Sequence, residues 1–128
     1  MPRERIQPGG LADLPLFTQV IKVGATDYIA GQIALGRDGQ VVGPGDITAQ
    51  ATQVFANLTT ALNATGGDLS HLVKLTIYAT DAAYLRPIAE VRQRYLGSPD
   101  PVTSTFVVVA GLARPELLLE IDGIAVLE

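Results

Sequence analysis

The sequence predicts an α+β domain, a two-layer sandwich in which two helices cover one face of a mixed sheet of about six strands. Three observations carry this. Apolar residues at Ile47, Ala51, Val54, Phe55, Leu58 and Leu62 recur at spacings of three and four, the period of a helix with one buried face. Val73, Leu75, Ile77 and Ala79 instead alternate with Lys74, Thr76 and Tyr78, the period of a strand. Two further oily runs close the chain in "PVTSTFVVVAGLARPELLLEIDGIAV", residues 101 to 126.

Taken in order, "FTQVIKV" (residues 17–23) and "DYIAGQIAL" (residues 27–35) are rich in strand formers and are separated by "GAT", the pattern of a hairpin. "GRDGQVVGPGD" then supplies turn residues around a short strand at Val41 and Val42. Asp46 is placed to cap the first helix, because its carboxylate can accept from an unpaired first-turn N–H. That helix ends near "NATGG", where glycine suits the C-terminal turn. "HLVKLTIYAT" is the next strand. "DAAYLRP" opens the second helix with Pro87 in its first turn, where a missing N–H costs nothing. Ile88, Val91 or Arg92, Tyr95 and Leu96 form its inner side, and "GSPDP" ends it. The last two strands read as a pair joined by a short hairpin. The order is β-β-(β)-α-β-α-β-β, and the uncovered face of such a sheet asks for a partner.

Composition bounds the function. The chain has 128 residues with no linker, repeat or low-complexity tract, so residues 1–128 are expected to form one domain. Thirteen acidic residues against nine basic give a net charge of −4, and no Lys/Arg cluster exceeds "RER" at the start, so no nucleic-acid partner is expected. The chain has no cysteine, which excludes disulfides, thiolate catalysis and cysteine-held zinc. With the single His71, multi-histidine metal sites are excluded as well. "MPRERIQPGG" lacks a signal-peptide core and no run is long enough to span a membrane, so a cytoplasmic protein without membrane contact is expected. "GRDG" and "GPGD" are turn chemistry and match no phosphate-binding loop.

One residue breaks the apolar pattern of the last strand. Glu120 lies between Leu119 and Ile121, on the same side as Leu118, Asp122 and Ile124. A carboxylate in so oily a strand is a candidate catalytic or binding group.

"DYIAGQIAL", "GDITAQATQVFANLTTAL", "GGDLSHLVKLTIYATD" and "LLLEIDGIAV" resemble, in the right order, successive landmarks of the RidA/YjgF family of enamine and imine deaminases. The resemblance runs from about Phe17 to Val126. It implies a chorismate-mutase-like fold and a homotrimer whose sheets form a barrel, with small-molecule clefts at the subunit interfaces. It further implies hydrolysis of small imines to ketoacids and ammonia without a cofactor. Glu120 matches the family glutamate that positions water. The family arginine that grips a substrate carboxylate falls at Ser104, or at Thr105 without a one-residue allowance, and no arginine lies between Arg94 and Arg114. The family tyrosine falls at Phe17, the serine at Ala30 and the second-helix asparagine at Ala89, while Gly31 and Gln32 persist.

Serine and threonine cannot imitate a guanidinium fork. An unbalanced substrate carboxylate about 4 Å from Glu120 would cost about 4 kcal/mol at an effective dielectric near 20. The implied ligand is therefore uncharged, or presents a cationic or donor end, unless Arg114, Arg3 or Arg5 replaces the cation across an interface. The candidate site comprises Glu120 as the catalytic group and Ser104, Thr105, Phe17, Gly31, Gln32 and Arg114 as ligand contacts. His71 reads as a surface residue at a strand start. A C–N hydrolase, a metabolite-binding trimer and a trimeric scaffold with a vestigial cleft are the three functions to be separated.

Overall fold

The computed structural model describes residues 2–128. Its elements are β1 (Arg3–Ile6), β2 (Val20–Val23), β3 (Thr26–Gln32), α1 (Ile47–Asn63), β4 (Leu72–Ala79), α2 (Leu85–Leu96), β5 (Thr103–Val108) and β6 (Leu119–Val126). The six strands form one mixed sheet in the order β1-β2-β3-β6-β4-β5, and both helices pack against one of its faces. The expected α+β two-layer sandwich is the observed one.

The expected hairpin of the last two strands is not formed. β5 pairs with β4 in parallel, and β6 lies on the other side of β4, antiparallel to both β3 and β4. A helix between two strands carries the chain back to its starting end, so β4-α2-β5 makes a parallel unit. The segment after β5 then passes the end of β4, where Val109 donates to Ala79 O and Thr80 donates to Leu118 O. Apolar alternation fixes a strand's faces but not its neighbours.

Smaller departures have local causes. β1 is unforeseen because "RERI" reads as a charged tail, yet it forms an edge strand, where charge discourages further pairing. β2 covers only Val20–Val23, which leaves Phe17 in a turn. Val41 makes a single bridge to Leu35 in place of a strand. In β4 it is Leu72, not Val73, that is buried, because the register with β6 shifts between Leu72 and Lys74. Leu75, Ile77 and Ala79 face the core as expected.

The core forms between α1 and the sheet. Ala51, Val54, Phe55, Leu58, Ala61 and Leu62 of α1 meet Val20, Ile29, Leu75, Ile77, Leu119 and Ile121. Each large aliphatic buried there contributes about 2 kcal/mol. Asp46 caps α1 by accepting from Ala49 N at 3.1 Å. Pro87 is the third residue of α2, inside its first turn, and Tyr95 stacks on Phe55 with ring centroids 5.3 Å apart. Val91 faces the core and Arg92 does not.

Two buried amides fix where the strands begin and end. Gln50 of α1 donates to Gly43 O and Glu116 O and accepts from Leu118 N at 2.9 Å, which anchors the chain just before β6. Asn57 donates to Ile33 O and Leu35 O, both at 3.0 Å, just after β3. Between them lies a bulge. Ile29 pairs with Gly123 and Gln32 with Ile121, so β3 carries one residue more than β6 over that span.

Candidate functional site

β6 alternates strictly. Leu119, Ile121, Gly123 and Ala125 point to the helices, so Glu120, Asp122 and Ile124 point to the open face. Tyr78 of β4 pairs with Glu120 and shares that face, and its hydroxyl donates to Asp122 Oδ2 at 3.0 Å. The β3 bulge brings Gly31 beneath the acid. A Cβ built on Gly31 would fall within 2.6 Å of the Glu120 carboxyl carbon, so the absence of a side chain there gives the carboxyl its place.

Partial burial pushes the Glu120 carboxyl above its ordinary range, and the negative charge of Asp122 adds to this. The Tyr78 phenol is also raised, chiefly by its hydrogen bond to Asp122, so it stays protonated as a donor. One acid poised to exchange a proton thus sits beside a second acid engaged by tyrosine.

An open hollow of about 370 Å³ adjoins this group, lined by Thr18, Ile21, Tyr28, Gly31, Asp122 and Ile124 among others. A second hollow of similar volume, lined by Arg5, Asp13, Phe17 and Thr18, meets the first at Thr18. Phe17 stands at the rim, 46% exposed.

The other expected site residues divide. Thr105 pairs with Thr76, and Thr76 with Asp122, which puts Thr105 on the open face two strands from that acid. Ser104 pairs with Leu75 and faces the helices, where Arg92 Nη1 donates to its hydroxyl at 2.6 Å. Arg92 is itself ion-paired with Asp100 at 2.5 Å and thereby holds the Asp100 carboxyl below its ordinary range. Gln32 lies behind the sheet, 3% exposed, with its amide donating to Gln19 Oε1 and Ala30 O. The extra residue of the bulge turns it there. Arg114 donates to Gly39 O and lines a separate hollow at the end of the sheet with Thr80 and Leu117. His71 lies just before β4 and accepts from Asp68 N at 3.1 Å, closing a cap on a short turn of helix.

Asp122 and Tyr78 were not singled out from the sequence as site residues. Strand parity with Glu120 places Asp122 on its face, but only the register of β4 brings Tyr78 to both. Among the described residues no three of His, Cys, Asp and Glu gather as a metal-holding group, and no helix is long and apolar enough to cross a membrane.

Residues 11–127 match the family model described as Endoribonuclease L-PSP. Over 130 residues the chain is 32% identical to the 2-iminobutanoate/2-iminopropanoate deaminase of Dermatophagoides farinae, covering 100% of each. The chain belongs to the RidA/YjgF family. Within it, the chain is 38% identical over 112 residues to Protein DfrA of Myxococcus xanthus, covering 86% of this chain and 84% of that one. The crystal structure of RidA from the Antarctic bacterium Psychrobacter sp. PAMC 21119 superposes with a TM-score of 0.86 at 30% identity, covering 95% of this chain and 97% of that one. The RidA-like fold is therefore shared over nearly the whole chain.

Proposed function

We propose that the protein is a cofactor-free hydrolase of imine or enamine C–N bonds, with Glu120 as its general base and acid. The observation that supports this best is the Glu120 carboxyl, raised in pKa and seated over Gly31, which itself lines an open hollow together with Asp122. A carboxyl poised nearer neutrality is suited to take a proton and return it. Glu120 takes a proton from water as the water oxygen bonds to the imine carbon, and it returns that proton to the nitrogen as the C=N π bond opens. The resulting carbinolamine loses its C–N bond as its hydroxyl proton passes by way of Glu120 to the leaving nitrogen. The products are a ketone and ammonia.

The substrate we infer does not place a carboxylate between Glu120 and β5. β5 reads "TSTFVV" and carries no charge, and its Ser104 is held by Arg92 on the opposite face. An anion beside Glu120 would meet both that acid and Asp122, while the cation that β4 offers on this face, Lys74, stands four residues along the strand from Tyr78, the partner of Glu120. We further propose that the working unit is a homotrimer whose clefts lie between subunits. Exposed Tyr28 and Val107 on the open face supply apolar surface for such contacts. The two acids on that face disfavour a polyphosphate substrate, so the ribonuclease description attached to the family model is not extended to this chain.

The uncharged β5 favours one second reading, a metabolite-binding protein without turnover. Ammonia release from an uncharged imine and from 2-iminopropanoate separates the two. The hydrolase reading expects release from the uncharged imine to fall about a hundredfold or more in E120Q. Turnover by E120Q equal to wild type rejects that role, and binding with no ammonia release by wild type establishes the second reading.

A further inference from the structure

We propose that Arg5 is the anion-binding residue of this site, so that a ligand is held with its negative group on the Thr18 side, away from Glu120. Arg5 pairs with Ile21, and Ile21 with Tyr28, which sets all three on the open face of the sheet. Its side chain is pinned to the fold: Nε donates to Thr18 Oγ1 at 3.0 Å. The next residue, Gln19, accepts from Ala30 N at 2.8 Å, so Thr18 stands beside Ala30 and Gly31. The guanidinium is thereby brought from the edge strand to the point where the two hollows meet, one of which reaches Gly31 and Asp122.

The chemistry is that of a receptor. Only Nε is engaged, and the two terminal nitrogens have no protein partner among the described residues. Pinning Nε leaves the outer edge of the fork to accept a carboxylate or phosphate in bidentate fashion. Asp13 lines the same hollow but forms no ion pair with Arg5 among the described residues. Along the open face the charge therefore runs from a guanidinium at Thr18 to carboxyls at Asp122 and Glu120. A ligand with one anionic end is repelled from the acids and drawn to Arg5, which aims its other end at Glu120. The direction of that aim rests on the hydrolase reading; the anion site does not.

The test uses the full-length protein and 2-oxobutanoate, a stable carboxylate without a C–N bond, titrated by calorimetry. Wild type is expected to bind it saturably, with affinity falling as salt is raised. R5Q is expected to bind about tenfold or more weakly, as for a lost charged hydrogen-bonding partner. R5K recovers part of the loss, since a point charge replaces the fork. Thr18→Val keeps the charge but frees the pin, and weakens binding severalfold. An exposed edge-strand substitution should leave the melting temperature of R5Q unchanged. Equal affinity of wild type and R5Q, or no saturable binding by wild type, overturns the assignment. Ammonia release plays no part in this readout, so the anion site and the hydrolase reading fail separately.

Discussion

On the helix-covered face of the sheet, Gln50, Asn57 and Gln32 are buried, and each carboxamide is committed to backbone or side-chain partners. On the open face, Glu120 and Asp122 stand two residues apart with Tyr78 as their one side-chain donor among the described residues. The two faces belong to the same strands, often to neighbouring residues. Those three amides are matched and serve geometry: Gln50 and Asn57 decide where β6 begins and β3 ends. In front, Asp122 takes the Tyr78 donor and Glu120 has no side-chain partner among the described residues, and an unmatched, half-buried acid is the group free to do chemistry.

The contrast can be broken from either side. Gln50→Leu strips partners from Gly43 O, Glu116 O and Leu118 N at once, so urea unfolding should show a loss of about 3 kcal/mol. If stability is unchanged, the matched amides are not structural. Gly31→Ala acts on the other face. Its new Cβ displaces the flexible Glu120 side chain and leaves the backbone where it is, so turnover should drop about tenfold, some 1.4 kcal/mol of barrier, with little change in melting temperature. A fall in stability with turnover intact would reverse that assignment.

The smallest effect concerns pH. Glu120 holds its proton more tightly in the folded state than in the unfolded chain, where its ordinary value is 4.5. The stability that proton contributes is fully present below that value and is lost as pH rises through the higher folded one. E120Q cannot ionise and does not share the loss. Denaturation midpoints measured from acid to neutral pH should therefore show E120Q gaining on wild type from about pH 4.5 upward. Parallel curves would mean the acid is solvated on both sides of the transition.

Much of this was legible in the residues. The stripe from Ile47 to Leu62 and the Asp46 cap gave α1, and strand parity gave the face of Glu120 and Asp122. The place of β6 between β3 and β4 was not legible, because a buried strand reads the same beside any neighbour. Nor was the side on which Ser104 and Thr105 fall. That is set by pairing with β4, and Arg92 reaches Ser104 only once α2 has packed. β1 was hidden by its charge. Gln32 entered the site through the resemblance alone, and the extra residue in β3, which turns it behind the sheet, leaves no mark in the sequence.

That extra residue has a consequence for how such a site can change. Whether a glycine or a glutamine lies under the acid depends on how many residues separate Ile29 from Gln32, and substitution alone leaves that number untouched. Deleting Ala30 would rotate the rest of the strand by half a turn, exchanging the roles of its two successors. Side chains around Glu120 are thus free to drift towards new ligands, while the length of this one segment holds the reacting geometry in place.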